Sequence, residues 1–166
     1  MAKNRKLPII VALKSEDLAN AGFREVYDYW AALRGTRDMP DPDSVDLLKL
    51  APHLGKIYIF DAIDRGADHR VVFNGNFFGG ETASLKRGDT VRAIKQDAFR
   101  ERTLATLKMV IDSKKPVHLG PIKSVYVGHE FRVIEVLSLP LSSNDSDVTR
   151  TLSVFDYVKD NPGPAC

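Results

Sequence analysis

Three apolar, β-branched stretches follow one another near the end of the chain: PVHLGPIKSVYV (116–127), EFRVIEVLSLPL (130–141) and TRTLSVFDYV (149–158). Only Gly128–His129 separate the first two, and the polar loop SSNDSD (142–147) precedes the third. Links this short join antiparallel neighbours, because a parallel pair needs a crossover of about a dozen residues or more. The stretch therefore predicts an antiparallel meander and excludes the parallel strand–helix–strand units that carry most nucleotide folds.

The upstream segments fit the same plan. KIYIFDAI (56–63) and HRVVFNG (69–75) read as two strands joined by the turn DRGAD. IKQDAFRERTLATLKMVIDS (94–113) reads as a long helix with Phe99, Thr103, Leu107, Val110 and Ile111 in one stripe, widened by Ile94, Ala98 and Leu104. Lys114–Lys115–Pro116 ends it. KSEDLANAGFREVYDYWAALRG (14–35) predicts an earlier helix, capped by Ser15 and stopped by Gly35, with Leu18, Gly22, Val26, Tyr29, Trp30 and Leu33 on its apolar face. That face is expected to pack on the domain first. Phe23, Tyr27 and Trp30 widen it enough for a homodimer contact. Between this helix and the first strand, Asp38, Asp41, Asp43 and Asp46 read as turn and cap residues, with Asp43 or Ser44 capping a short helix through Leu50. They lack the spacing, glycine and closing glutamate of a calcium loop.

The expected fold is α+β: an antiparallel sheet of about five strands with helices on one face and an N-terminal helical extension. It is read as one domain over 15–158, after an N-terminal segment (1–14) and before a flexible tail (159–166). A chain of 166 residues, 43% hydrophobic and 28% charged, is long enough for one proper core. Lys plus Arg number 24 against 22 for Asp plus Glu, a net +2, which argues against a nucleic-acid binder. The one cysteine, Cys166, excludes an internal disulfide and sits too late for prenylation, so a cytoplasmic setting is expected. MAKNRKLPIIVAL begins like a signal peptide, but Pro8 interrupts a short apolar run and Lys14, Glu16 and Asp17 follow it. No run approaches the ~20 apolar residues of a membrane span.

RVVFNGNFFGGET (70–82) is the one glycine-rich run. It lacks the spacing of a dinucleotide fingerprint and the Lys-Ser/Thr of a phosphate loop. The glycines instead fit a strand breaking into a short helix, with Phe73, Phe77 and Phe78 turned inward. His53, His69, His118 and His129 are scattered without metal-ligand spacing, and no nucleophile elbow is present, so neither a catalytic nor a metal site is assigned. A strand carboxylate such as Glu135, acting as base in a conical α+β pocket, keeps a small-molecule enzyme as the alternative. A nucleotide-binding module using Gly75–Gly80 is a third reading.

The element order, with Tyr29, Trp30, Leu33, Arg34 and Gly35 as "YW..LRG", MPDPDSVDLLKLAPHLGKIYIFD (39–61), HRVVFNGNFFGGETASLKRGDTV (69–91) and Leu139–Pro140–Leu141, resembles the stand-alone PAS family widespread in alphaproteobacteria. The similarity runs from about Tyr27 to Val158. It departs at Asn76, where relatives more often carry threonine, and in the FFGG that follows. The resemblance implies a non-enzymatic sensory or regulatory module that signals through a protein partner. No internal cysteine is available for a bonded chromophore, and 94–113 has no histidine for haem, so no cofactor is expected. A noncovalent small-molecule ligand is expected between the inner sheet face and the crossover helices. The candidate residues are Tyr58, Phe73, Asn74, Asn76, Phe77, Phe78, Tyr126 and Arg132. Whether the phenylalanines line that pocket or fill it is open from sequence.

Overall fold

The computed structural model describes residues 7–79, 85–126, 128 and 130–159. Gly80, His129 and Cys166, all used in the sequence reading, lie outside the described residues, as do 1–6 and 160–166. In chain order the elements are β1 (Ile9–Val11), α1 (Ala21–Arg34), β2 (Ile57–Ile63), β3 (Asp68–Asn74), α2 (Asp97–Ser113), β4 (Val117–Lys123), β5 (Val133–Leu141) and β6 (Arg150–Tyr157). Short 3-10 turns connect them, the longest over Leu47–Lys56 with Pro52 inside it.

The α+β architecture is present, with six antiparallel strands in the order β1-β4-β5-β6-β2-β3 rather than about five. The added strand is β1. It pairs Ile9 with Leu119 and Val11 with Val117, so the sheet reaches into the segment that the sequence places ahead of the domain.

The cap of α1 lies five residues later than the expected cap at Ser15. Ser15–Asp17 forms a separate 3-10 turn, and the cap is Asn20, whose Oδ1 accepts from the Phe23 amide at 3.0 Å. Arg24 holds the extended link from the helix side, donating to the Leu18 and Ala19 carbonyls. Gly35, at φ +57°, terminates the helix where expected. Likewise Asp41 and Asp46, rather than Asp43 or Ser44, cap the two following 3-10 turns through their side chains.

Both faces of the sheet are covered. Strand alternation sends Ile57, Ile59, Leu137, Leu139, Leu152 and Val154 to the outer face, where Phe23, Val26 and Trp30 of α1 bury against them. Trp30 is 4% exposed and its indole N–H donates to the Pro140 carbonyl at 2.8 Å, so the large ring leaves no polar group unpaired. Tyr58, Phe60 and Ile134 face inward and meet Val91, Phe99 and Leu107. The helical extension thus closes the face opposite α2.

Two local features decide which face a side chain joins. A bulge between Ile59 and Phe60 in the β2–β3 ladder pairs Ile59 with Phe73 but Phe60 with Val71. The extra residue, Val72, reverses the alternation and leaves Phe73 on the outer side. Next comes Gly75, whose amide donates to the Ile57 carbonyl at 2.8 Å. A Cβ there would lie 1.9 Å from the Leu54 carbonyl oxygen and 2.7 Å from that of Ile57. Close backbone approach, rather than phosphate binding, accounts for this glycine.

Candidate functional site

The inner face has two halves with different side chains. At one, Phe78 lies at the centre of an aromatic group: its ring centroid is 4.8 Å from Tyr126, 5.0 Å from Phe155, 5.2 Å from Phe99 and 5.6 Å from Tyr58. The Tyr58 hydroxyl accepts from the Phe78 amide at 3.3 Å, and burial pushes its pKa up to about 12, so it stays protonated through the physiological range. Phe77 packs half-buried at the edge of this group, 4.7 Å from the Tyr157 ring. Phe78, Phe99 and Phe155 of this group also border the cavity of the other half.

The other half holds a cavity of ≈ 40 Å³ in which water centres fit. Phe60, Phe78 and Phe99 close one end, while α2 supplies Arg102, Thr103 and Thr106. Ser138 and Ser153 form part of the sheet wall. At roughly 10–15 Å³ per water, the space admits about three water-sized groups. Its origin is local. Ser138 and Ser153 are cross-strand partners on β5 and β6, and two small residues stand where valine or leucine would reach α2. Thr103 and Thr106 are similarly short on the facing helix.

The hydroxyls in the wall already have partners. Ser138 and Ser153 bond each other at 2.8 Å, Thr103 and Thr106 donate to the carbonyls one turn back, and Ser124 accepts from the Tyr126 amide. Of Arg102, one terminal nitrogen donates to the Lys123 carbonyl at 2.7 Å. Burial lowers its pKa below the usual arginine value.

Of the eight residues the sequence proposed for ligand contact, only Phe78 lines this cavity. Tyr58 and Tyr126 join Phe78 in the aromatic group, and Phe77 borders it. Phe73 is on the opposite face because of the bulge. Asn74 is structural: its amide donates to the Leu85 carbonyl while its oxygen accepts from the Asn76 amide. Asn76 itself is exposed at φ +65°, a left-handed position asparagine tolerates. Arg132 is exposed, its guanidinium 3.9 Å above the Tyr157 ring. The overlooked signal was the small hydroxyl residues at inward positions of β5, β6 and α2.

Glu135 does not serve the cavity. Its backbone borders the space, but strand alternation turns its carboxylate to the outer face. There one oxygen accepts from Asn20 at 3.0 Å and the other lies 3.1 Å from the His118 Nε2. The Asn20 amide also donates to Asp156 at 2.9 Å, and Lys56 pairs with that same aspartate at 3.0 Å. This network ties the start of α1 to β5 and β6. His53 pairs with Glu25, and His69 is 1% exposed with both ring nitrogens unpartnered. Among the described residues, no group of three or more His, Cys, Asp or Glu could hold a metal ion. No helix there is long and apolar enough to cross a membrane.

A family model described as PAS domain matches residues 18–155, which spans α1, α2 and the strands from β2 to β5 and reaches into β6. No curated protein and no solved structure matches the chain.

Proposed function

Because the chain belongs to the PAS domain family, we propose that it is a sensory or regulatory module whose signal is a small molecule held noncovalently in the inner cavity. The supporting observation is the local shortage of side-chain volume. Four short hydroxyl residues face one another across α2, β5 and β6 beside the aromatic group. Ligand pockets are mostly apolar spaces with a few placed polar groups, and this one has that character. Native mass spectrometry of freshly purified protein tests the reading. We expect a retained mass, lost in a cavity-filling Thr106→Leu variant. A retained mass indifferent to that substitution would move the ligand elsewhere and overturn the reading.

The output is proposed to be a protein contact. α1, the element expected to make it, has Phe23, Val26 and Trp30 buried on the sheet, so the open sheet edge is the better surface. The β3 edge is covered by 86–90, through bonds between Val71 and the Gly88 and Asp89 backbone. At the other edge no described strand pairs with the outer side of β1, and Ile10 and Val11 of β1 and the preceding Leu7 are exposed. Unpaired strand edges with apolar side chains recruit further strands. We therefore place a homodimer contact at β1. Light scattering should find a dimer that Ile10→Lys converts to monomer; a monomeric wild type would overturn it.

A further inference from the structure

We infer that the group entering the inner cavity is an uncharged hydrocarbon of about three or four carbons that makes no hydrogen bond to the wall. This rests on the ligand-binding reading above and adds the chemistry of the ligand.

The wall carries the argument, because no polar side-chain atom buried in it lacks a partner. The Thr103 and Thr106 donors are spent on the Phe99 and Arg102 carbonyls of their own helix. Ser138 and Ser153 are occupied with each other, and Ser124 holds the Tyr126 amide. The two charged residues are engaged as well: the Glu135 carboxylate with Asn20 and His118 on the outer face, and Arg102 with the Lys123 carbonyl in an exposed contact. Among the described residues, the buried side-chain nitrogens and oxygens without a partner belong to Arg34, His69 and Thr151, and none of these lines the cavity.

What remains for a ligand to touch is hydrocarbon. Beyond the phenylalanines, Leu107, Leu119, Ile134 and Val136 continue the wall. A hydroxyl, amide or carboxylate brought here gives up water and gains no placed partner, a loss that an alkyl group does not meet. A site built to read a polar group keeps a buried donor or acceptor for it, and this wall keeps none unpaired. Water meets the same difficulty, since an enclosed molecule needs about two to four polar partners. Filling the space gains dispersion contacts without removing ordered water. The volume sets the length: water centres fit in ≈ 40 Å³, which at roughly 10–15 Å³ each matches about three or four carbon-sized groups. Half-buried Thr103, Ile122 and Val125 bring the wall close to the surface between α2 and the end of β4. Two sources of the hydrocarbon fit that position, a small free molecule and the alkyl end of a larger one.

Methyl NMR titration of the full chain compares propane with ethanol, which has the same size and one hydroxyl. It also compares 1-hexanol with 1,6-hexanediol, which has a hydroxyl at both ends. Wild type should bind propane at least about tenfold more tightly than ethanol, and 1-hexanol at least about tenfold more tightly than the diol. The shifts should fall on Leu107, Leu119 and Ile134. Hexanol binding tighter than propane assigns the alkyl end of a larger molecule, and the reverse order assigns a free small hydrocarbon. Thr106→Leu should weaken propane and 1-hexanol alike by filling the space. Thr106→Val, which exchanges a hydroxyl for a methyl group, should bind propane as wild type does and controls for folding. Ethanol binding as tightly as propane overturns the hydrocarbon assignment and leaves the cavity reading standing. A loss of propane in Thr106→Val does the same, because a wall hydroxyl would then be making contact. Propane binding indifferent to Thr106→Leu puts the ligand elsewhere, and both readings fail. Absence of binding by propane and 1-hexanol alike overturns the inference even where a native mass is retained.

Discussion

The outer and inner faces of this sheet are made by the same strands, yet they are packed to different ends. Outside, branched aliphatic side chains of β2, β5 and β6 meet Phe23, Val26 and Trp30 of α1, and Asn20 fastens the helix start to two strand carboxylates. Inside, the alternate residues of those strands include the aromatics Tyr58, Phe60 and Phe155, the aliphatics Ile134 and Val136, and the hydroxyl pair Ser138 and Ser153. Alternation of period two lets one strand supply both surfaces, so a residue's parity decides whether it closes a core or bounds a space. The outer face is where substitution should damage folding, and the inner hydroxyl end is where it should mainly change binding.

The largest expected effect follows from that contrast. Trp30→Ala removes the main contact of α1 with the sheet and leaves the Pro140 carbonyl without its donor. We expect a loss of about 3–5 kcal/mol in urea denaturation. A loss under about 1 kcal/mol would show that the outer face is not tightly packed, and the contrast would collapse.

Next is His69, on the inner side of β3 by its parity with Val71. Burial lowers its pKa to about 4, with Asp68 opposing the shift and Arg92 adding to it. The folded state therefore resists a proton that the unfolded chain takes up near pH 6.5. Stability contributed by neutral His69 is full above about pH 6.5 and declines as pH falls toward 4, by up to about 3 kcal/mol. His69→Leu should flatten the stability profile over that interval. An unchanged slope would assign the acid sensitivity to other groups.

The outer packing around Trp30 and the inner cavity differ in how far they could be read from sequence. Trp30 stands on a helical apolar stripe, and the antiparallel order followed from link lengths, because periodicity and chain connectivity are local properties. The PAS resemblance agreed with both. The open cavity was not legible, since it depends on what is missing: Ser138 and Ser153 read as ordinary strand residues until β5 and β6 are in register. Phe73 was misplaced for a related reason. One bulge residue, Val72, reverses parity, and nothing in VVFNG marks it. Asn20, as cap and clamp together, needs strands more than a hundred residues away to be recognised.

Asn20→Ala sharpens the outer side of the comparison. It removes the α1 cap and the amide shared by Glu135 and Asp156, leaving two carboxylates on paired residues of β5 and β6 without their bridge. A cap alone is worth about 1 kcal/mol, and the added repulsion should bring the loss to about 2 kcal/mol. Asn20→Ser keeps the cap without the bridge and should recover about half of it. Equal losses in the two variants would mean that the bridge, and not the cap, sets the cost.

The smallest effect tests the inner side. Replacing Ser138 alone by alanine leaves the buried Ser153 hydroxyl without its 2.8 Å partner and should cost about 1 kcal/mol. Replacing both removes the two polar groups together, so the pair Ser138→Ala and Ser153→Ala should lie within about 0.5 kcal/mol of wild type. That non-additivity is what a self-satisfied pair at the edge of a cavity predicts, and a double-mutant cycle in urea measures it directly. Strictly additive losses would mean that each hydroxyl has its own partner. The short side chains on this face would then be holding something other than each other.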